Sequence, residues 1–297
     1  LRKAADLPAQ ARTELWVRVA GWHKEKTSDG KSAEEAFVEA RKLDPENTEV
    51  LRALEELQRA PGRERDLVET LRARAKLEVD LSDKRTLLRE AKSLAEGTLA
   101  DAALAEQVLR ELLAEDEGDL WALEELGTLR ERAGAWSDVV DLLLRRAELE
   151  ADGKTISDLR HRAARAAREH LQDDARAVQL YEELFENDVE DAEAASALRD
   201  LYAALGKRRE LAKLLQTLID TASGEETRST LRIELAKLQD AMGDASAAIE
   251  TLRSVLEENR GRTDAVVALS DLLEKGGKDE ELAELLAGQI EAAKERS

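Results

Sequence analysis

Two residue series repeat along the chain with one period, and that period constrains the fold more than any other feature of the sequence. Gly62, Gly134, Gly206 and Gly277 each follow a Leu-rich stretch and precede another, at spacings of 72, 72 and 71 residues. Ala33, Ala105, Ala177 and Ala248 form an independent series with the same spacings. Self-similarity at a fixed period marks stacked supersecondary units, each burying its apolar face only against its neighbours. The 297 residues are therefore read as units rather than divided into globular domains.

The local pattern says what each unit contains. Four residues after each alanine stands Phe37, Leu109, Tyr181 or Leu252, and three further on Ala40, Leu112, Leu184 or Val255. An i, i+4, i+7 stripe is one buried face of a helix. The glycine series is followed by its own stripe in Leu67 and Leu71, Val139 and Leu143, Leu211 and Leu215, Leu282 and Leu286. No alternating, β-rich run interrupts these helices. The three prolines, at 8, 45 and 61, all fall where a helix can begin or end. Ser82, Asp101, Thr155, Asp244 and Thr263 are candidate N-caps.

Gly21, Ala33, Phe37, Ala40 and the closing pair Asp44 and Pro45 resemble a tetratricopeptide motif, and the segment GDASAAI from Gly243 to Ile249 is similar to that family's turn into its second helix. Arg165 and Arg199 depart from it, standing where a small residue is usual. The resemblance implies an all-α fold: a right-handed α-α superhelix, a TPR-like solenoid of about 16 antiparallel helices in eight helix-turn-helix units. It implies one continuous solenoid over 1–297, with units starting near 14, 48, 86, 120, 158, 192, 229 and 263. The gaps alternate between 34 and 38, with 37 once; the added residues amount to about one helical turn. We expect that turn in the second helices of even units, near 64–80, 136–152, 207–222 and 278–295, or just after them.

The inventory for chemistry is thin. There is no cysteine, so disulfides, thiolate metal sites and thiol nucleophiles are excluded. His23, His161 and His170 are too far apart for a paired metal site, and neither H-E-x-x-H nor a phosphate-binding glycine loop occurs. Ser196 and Ser254 lie within helices, with no histidine placed to activate them. No catalytic residue, metal or cofactor is expected. The formal net charge of −20 repels phosphate backbones, so no nucleic acid partner is expected. No apolar run reaches the roughly 20 residues of a membrane-spanning helix, and Leu1–Gln10 lack the apolar core of a secretion signal. The expectation is no membrane insertion and a cytoplasmic location. A start at Leu1 suggests a segment of a longer protein, and the Ala, Leu, Glu and Arg bias suggests a bacterium.

Partner binding is where the sequence offers candidates. Arg160, His161, Arg162, Arg165, Arg168 and His170 form a basic cluster in an acidic chain; their guanidinium forks suit an acidic peptide, or pair with the chain's own Glu169, Asp173 or Asp174. On the repeat template Trp22 and Trp121 fall at first-helix positions lining the concave face, whereas Trp16 packs inward and Trp136 lies at a turn. Arg18, Arg52 and Glu193 complete the candidate contacts. The Lys and Asn clamp with which related arrays hold acidic chaperone tails is replaced here by Arg18 and Trp22, Arg52 and Glu56, then Glu90 and Leu94. The resemblance thus implies a noncatalytic protein-protein interaction scaffold or adaptor, binding a peptide or partner domain on its concave face. A structural spacer is the alternative. Its last helix, Lys278–Ser297, exposes Leu282, Leu285, Leu286 and Ile290 without a polar capping helix, which would allow an end-to-end homo-oligomer. An enzyme built on the repeat would need a cluster of perturbed carboxylates in a closed pocket.

Overall fold

The computed structural model of the protein describes residues 7–295, and α-helix is its only extended secondary structure. The expected helical start at Leu1, and Arg296 and Ser297 at the end of the last helix, lie outside these residues. Eight helix pairs follow one another: α1 (Ala9–Trp22) with α2 (Gly30–Leu43), α3 (Thr48–Gln58) with α4 (Glu64–Leu77), α5 (Leu81–Ser93) with α6 (Ala102–Glu115), and α7 (Leu120–Arg132) with α8 (Trp136–Leu149). They continue with α9 (Gly153–Glu169) and α10 (Asp174–Asn187), α11 (Ala192–Ala204) and α12 (Arg208–Thr221), α13 (Glu225–Ala241) and α14 (Ala245–Glu258), then α15 (Thr263–Lys275) and α16 (Asp279–Glu295). One π-type turn extends α1 over His23–Thr27 and another extends α5 over Leu94–Thr98.

The chain divides into two compact units, 1–159 and 160–297. In the first, Ala20, Phe37, Ala40, Val50 and Leu54 form one apolar cluster, and α4 to α7 share a second built around Leu71, Leu88, Leu109 and Leu112. In the second, Ile233, Ile249, Leu252, Val255 and Leu269 form the equivalent core. All four alanines of the periodic series are fully buried, which is why a larger residue is absent there.

The alternating gap has a different origin from the one expected. The second helices from α2 to α14 are all 14 residues long, in odd and even units alike, and the turns after α4, α8 and α12 are shorter than those after α2, α6 and α10; of the four even-unit helices expected to be longer, α16 is, with 17 residues. The added turn lies instead in the first helices of odd units. Both α9 and α13 have 17 residues, against 13 in α7, α11 and α15. Starts at 81, 120, 153, 192, 225 and 263 advance by 39, 33, 39, 33 and 38 residues. Capping explains the early starts of α5 and α9, whereas α13 follows Gly224 without a side-chain cap. Asp80 accepts from the Ser82 and Asp83 amides, and Asp152 from Thr155, so α5 and α9 begin earlier than caps at Ser82 or Thr155 would allow. Asp101 and Asp244 do cap α6 and α14, whereas Arg262, not Thr263, precedes α15.

Each turn inside a pair contains one left-handed residue. In even units it is Gly62, Gly134, Gly206 or Gly277; in odd units it is Ser28, Ala100, Gln172 or Gly243. An L side chain in this region costs about 1–2 kcal/mol that glycine avoids. Ala100→Gly, relieving φ 49, is therefore expected to raise stability by about 1 kcal/mol. Gly134→Ala is expected to lower it by a similar amount, through the backbone alone, since an added Cβ meets nothing within 4 Å. Thermal melts in which both variants move the same way would contradict this.

Candidate functional site

Within each compact unit, hairpins of near-constant length bring successive first helices side by side, so that a basic residue on one reaches an acid on its neighbour. In the 1–159 unit Lys24 lies 2.6 Å from Glu56 and Arg59 lies 2.5 Å from Glu90, while Lys92 pairs with Glu125. In the 160–297 unit Arg165 lies 3.3 Å from Glu193, Arg168 lies 3.6 Å from Asp200, Arg199 pairs with Glu234, and Lys275 lies 3.1 Å from Asp240. The exposed pairs among these contribute about 0–1 kcal/mol each, while Lys92 is buried. Their larger consequence is that the charges on this face already have partners.

The expected contact residues divide accordingly. Arg165 and Glu193 meet each other; Arg162 is exposed but engaged within the molecule. Arg165 and Arg168 find their partners on α11, while Asp173 caps α10. Trp121 is half-buried against the α4–α7 core, its ring centroid 4.7 Å from the Arg89 guanidinium and 5.9 Å from the Lys92 ammonium. One period later the same slot holds His161 and Glu193. His161 is buried and donates from Nε2 to Asp191 at 2.7 Å, and the other oxygen of Asp191 caps α11 through the Ala194 amide. Arg18, Trp22 and Arg52 are exposed; Trp22 has 56% of its surface free and meets His23 edge-on at 5.1 Å. Trp16 packs on the first cluster, and Trp136 opens α8.

Several carboxylates in this lattice are held below their ordinary range. The Leu104 amide and then Arg65 lower Asp101, and Lys92 lowers Glu96. Burial disfavours the charge on Lys92, but Glu125 and Glu96 outweigh it and raise its pKa. A carboxylate whose pKa is depressed by folding contributes stability above its unfolded value and loses it as pH falls through the folded one. Melting temperature is thus expected to hold from pH 7 to about pH 5 and to fall below it. An Asp101→Asn, Glu96→Gln variant should start lower and show a flatter acid limb; an acid limb of unchanged slope would contradict the assignment.

A second surface, on the second helices, was not among the sequence candidates. Grooves of about 1050, 840 and 610 Å³ lie beside α2 and α4, α6 and α8, and α10 and α12. Their linings coincide at a 72-residue offset. Arg41, Leu113 and Phe185 are equivalent, as are Pro45, Glu117 and Val189, then Gln58, Arg130 and Tyr202, and Asp66, Asp138 and Glu210. The first groove is lined by Arg41 and Gln58, and beneath them the buried Thr70 donates to Gln58 at 2.7 Å and accepts from Arg41 at 3.3 Å. Leu142 and Leu214 take the place of Thr70 in the second and third, where Leu126 and Leu198 also line the floor. Tyr202 donates to Glu182 at 2.6 Å; burial, then that carboxylate, push its phenol above the ordinary range, so it stays a neutral donor. Phe185 and Leu214 each sit one residue from the core stripe, beside Leu184 and Leu215. An aromatic residue one position outside the core stripe, at Phe185, was the readable signal.

Among the described residues no group of His, Asp or Glu is arranged to hold a metal ion, and no helix is long and apolar enough to cross a membrane. The helix pairs have the hairpin architecture of tetratricopeptide-like repeats, and solved structures with such repeats are among those to which the chain is similar. A tetratricopeptide repeat protein from Parabacteroides merdae is 16% identical over 89% of this chain and 99% of its own, with a TM-score of 0.31. MamA is 17% identical over 69% of this chain and 95% of its own, with a TM-score of 0.31. A chain of the Naa15/Naa10 complex bound to HypK-THB is 15% identical over 93% of this chain and 52% of its own, with a TM-score of 0.33. At such identity and superposition the resemblance says nothing about what this chain binds. No protein-family model and no curated protein sequence matches it.

Proposed function

We propose that the chain is a noncatalytic protein-interaction scaffold whose second-helix grooves receive segments of partner proteins. The observation that carries this is the recurrence, at one register, of a groove lined by equivalent positions. Core packing explains the buried stripe, yet it leaves Leu142 and Phe185 half-buried on the walls of open grooves, where side chains of a partner can be desolvated. The first-helix face, by contrast, spends most of its charge internally; Arg18, Trp22 and Arg52 are the candidates there that remain open to a partner.

Panning random peptides on the immobilised chain tests the reading. Peptides are expected whose binding is lost in Leu142→Glu or Phe185→Glu and kept in an Arg18→Glu, Arg52→Glu variant, with helicity unchanged in all three. Binding that survives both groove changes and fails in the first-helix variant would overturn it.

A second reading, self-assembly, is favoured by one feature. Val267 on α15 and Leu286 and Ile290 on α16 are 54%, 46% and 59% exposed. A second copy stacked there would bury them, and sedimentation should then show concentration-dependent dimers that Ile290→Glu abolishes. A strict monomer at high concentration would refute it.

A further inference from the structure

We propose that the groove beside α10 and α12 takes a cationic amphipathic segment of a partner protein, an apolar side chain flanked by Lys or Arg; this rests on the scaffold reading above. The molecule supplies its own comparison. In the other three double units, the acid equivalent to Glu210 is met by a guanidinium of the chain itself. Arg63 lies 3.5 Å from Asp66, Arg130 lies 3.4 Å from Asp138, and Arg253 pairs with Glu281. Arg253 occupies the position of Glu182, so α14 offers a base to α16 where α10 offers an acid to α12.

Around Glu210 that guanidinium is gone. Tyr202 replaces Arg130 and turns to Glu182. Glu186 and Glu210 have no ion-pair partner among the described residues, and Lys213 is the one basic residue in the lining. Beneath these carboxylates the lining is apolar: Leu198 and Leu214 are already buried, while Phe185, half-buried, and Val189, 40% exposed, still present apolar surface. An apolar side chain from outside would cover Phe185 and Val189. A Lys or Arg on either side of it would stand where Arg253 stands in the last double unit. The chain's net charge of −20 adds long-range attraction for such a segment.

The probe is a fluorescein-labelled 14-residue helical peptide of Leu and Lys with one apolar face, read by anisotropy against the full chain. Glu210→Lys is expected to weaken binding about fivefold, the effect of roughly one charged contact reversed at an exposed site, and Phe185→Glu to weaken it at least as much. Glu14→Lys, an equal change of net charge on α1, should alter affinity less than twofold. Equal losses in Glu14→Lys and Glu210→Lys would mean diffuse attraction and overturn the proposal, as would a Glu210→Lys variant that binds like the parent. A Leu and Glu peptide of the same pattern separates the two levels. If it binds as tightly as the Leu and Lys peptide and is lost in Phe185→Glu, the groove docks segments but has no cationic preference. If Phe185→Glu affects neither peptide, the groove reading itself fails.

Discussion

Leu109→Ala is expected to cost about 3 kcal/mol and to make unfolding less cooperative. Leu109 is fully buried in α6, within a cluster that α4, α5 and α7 complete. Truncating a buried leucine costs about 2–5 kcal/mol, the transfer of its methyl groups plus the cavity left where neighbours cannot collapse. In a stack of hairpins each unit is stabilised by its neighbours, so damage at α6 weakens the coupling on both sides. Urea unfolding should show an earlier midpoint and a smaller slope for the first phase. Leu113→Ala, four residues on and half-buried at the rim of the second groove, is the comparison and should cost well under half as much. Equal losses would mean that the cluster does not hold these helices together.

Arg63→Ala should cost about 3 kcal/mol although Arg63 is itself 41% exposed. The loss arises at its partner. Glu34 is 5% exposed on α2, accepts from Arg63 Nε at 3.1 and 3.0 Å, and has Gln58 as its other donor, at 3.3 Å. Gln58 is also buried and accepts from Thr70. Removing the guanidinium leaves Glu34, 5% exposed in the wall of the first groove, without its counter-charge, and that is the expensive half of breaking a buried pair. Adding Glu34→Leu to the variant removes the orphaned charge and should recover more than half of the loss. A cost below about 1 kcal/mol for Arg63→Ala, as for an exposed pair, would contradict this.

The fold was legible in the sequence because each signal that reports it is local. The alanine stripe and the turn glycines lie within a few residues of what they define, and the positive φ at Gly62, Gly134, Gly206 and Gly277 is what their residue type implies. The position of the added turn was not legible, since the phase of a stripe fixes a helix face and leaves its ends free. Asp80 and Asp152 decide those ends, and each stands close to a residue that is itself a competent cap. The site was hidden for a different reason. A stripe of Arg162, Arg165 and Arg168 has the same appearance whether it awaits a ligand or faces Glu193 and Asp200 some thirty residues away. Phe185 lies one residue outside the stripe, and only when the helices around it are placed does it line a groove.

Photocrosslinking locates the docking face most directly. With a photoreactive residue in place of Glu186 in one chain and of Arg18 in another, peptides selected by panning should be captured at position 186, and Phe185→Glu should abolish the capture. Capture at position 18, with none at 186, would contradict the assignment of the second-helix grooves as the binding surface.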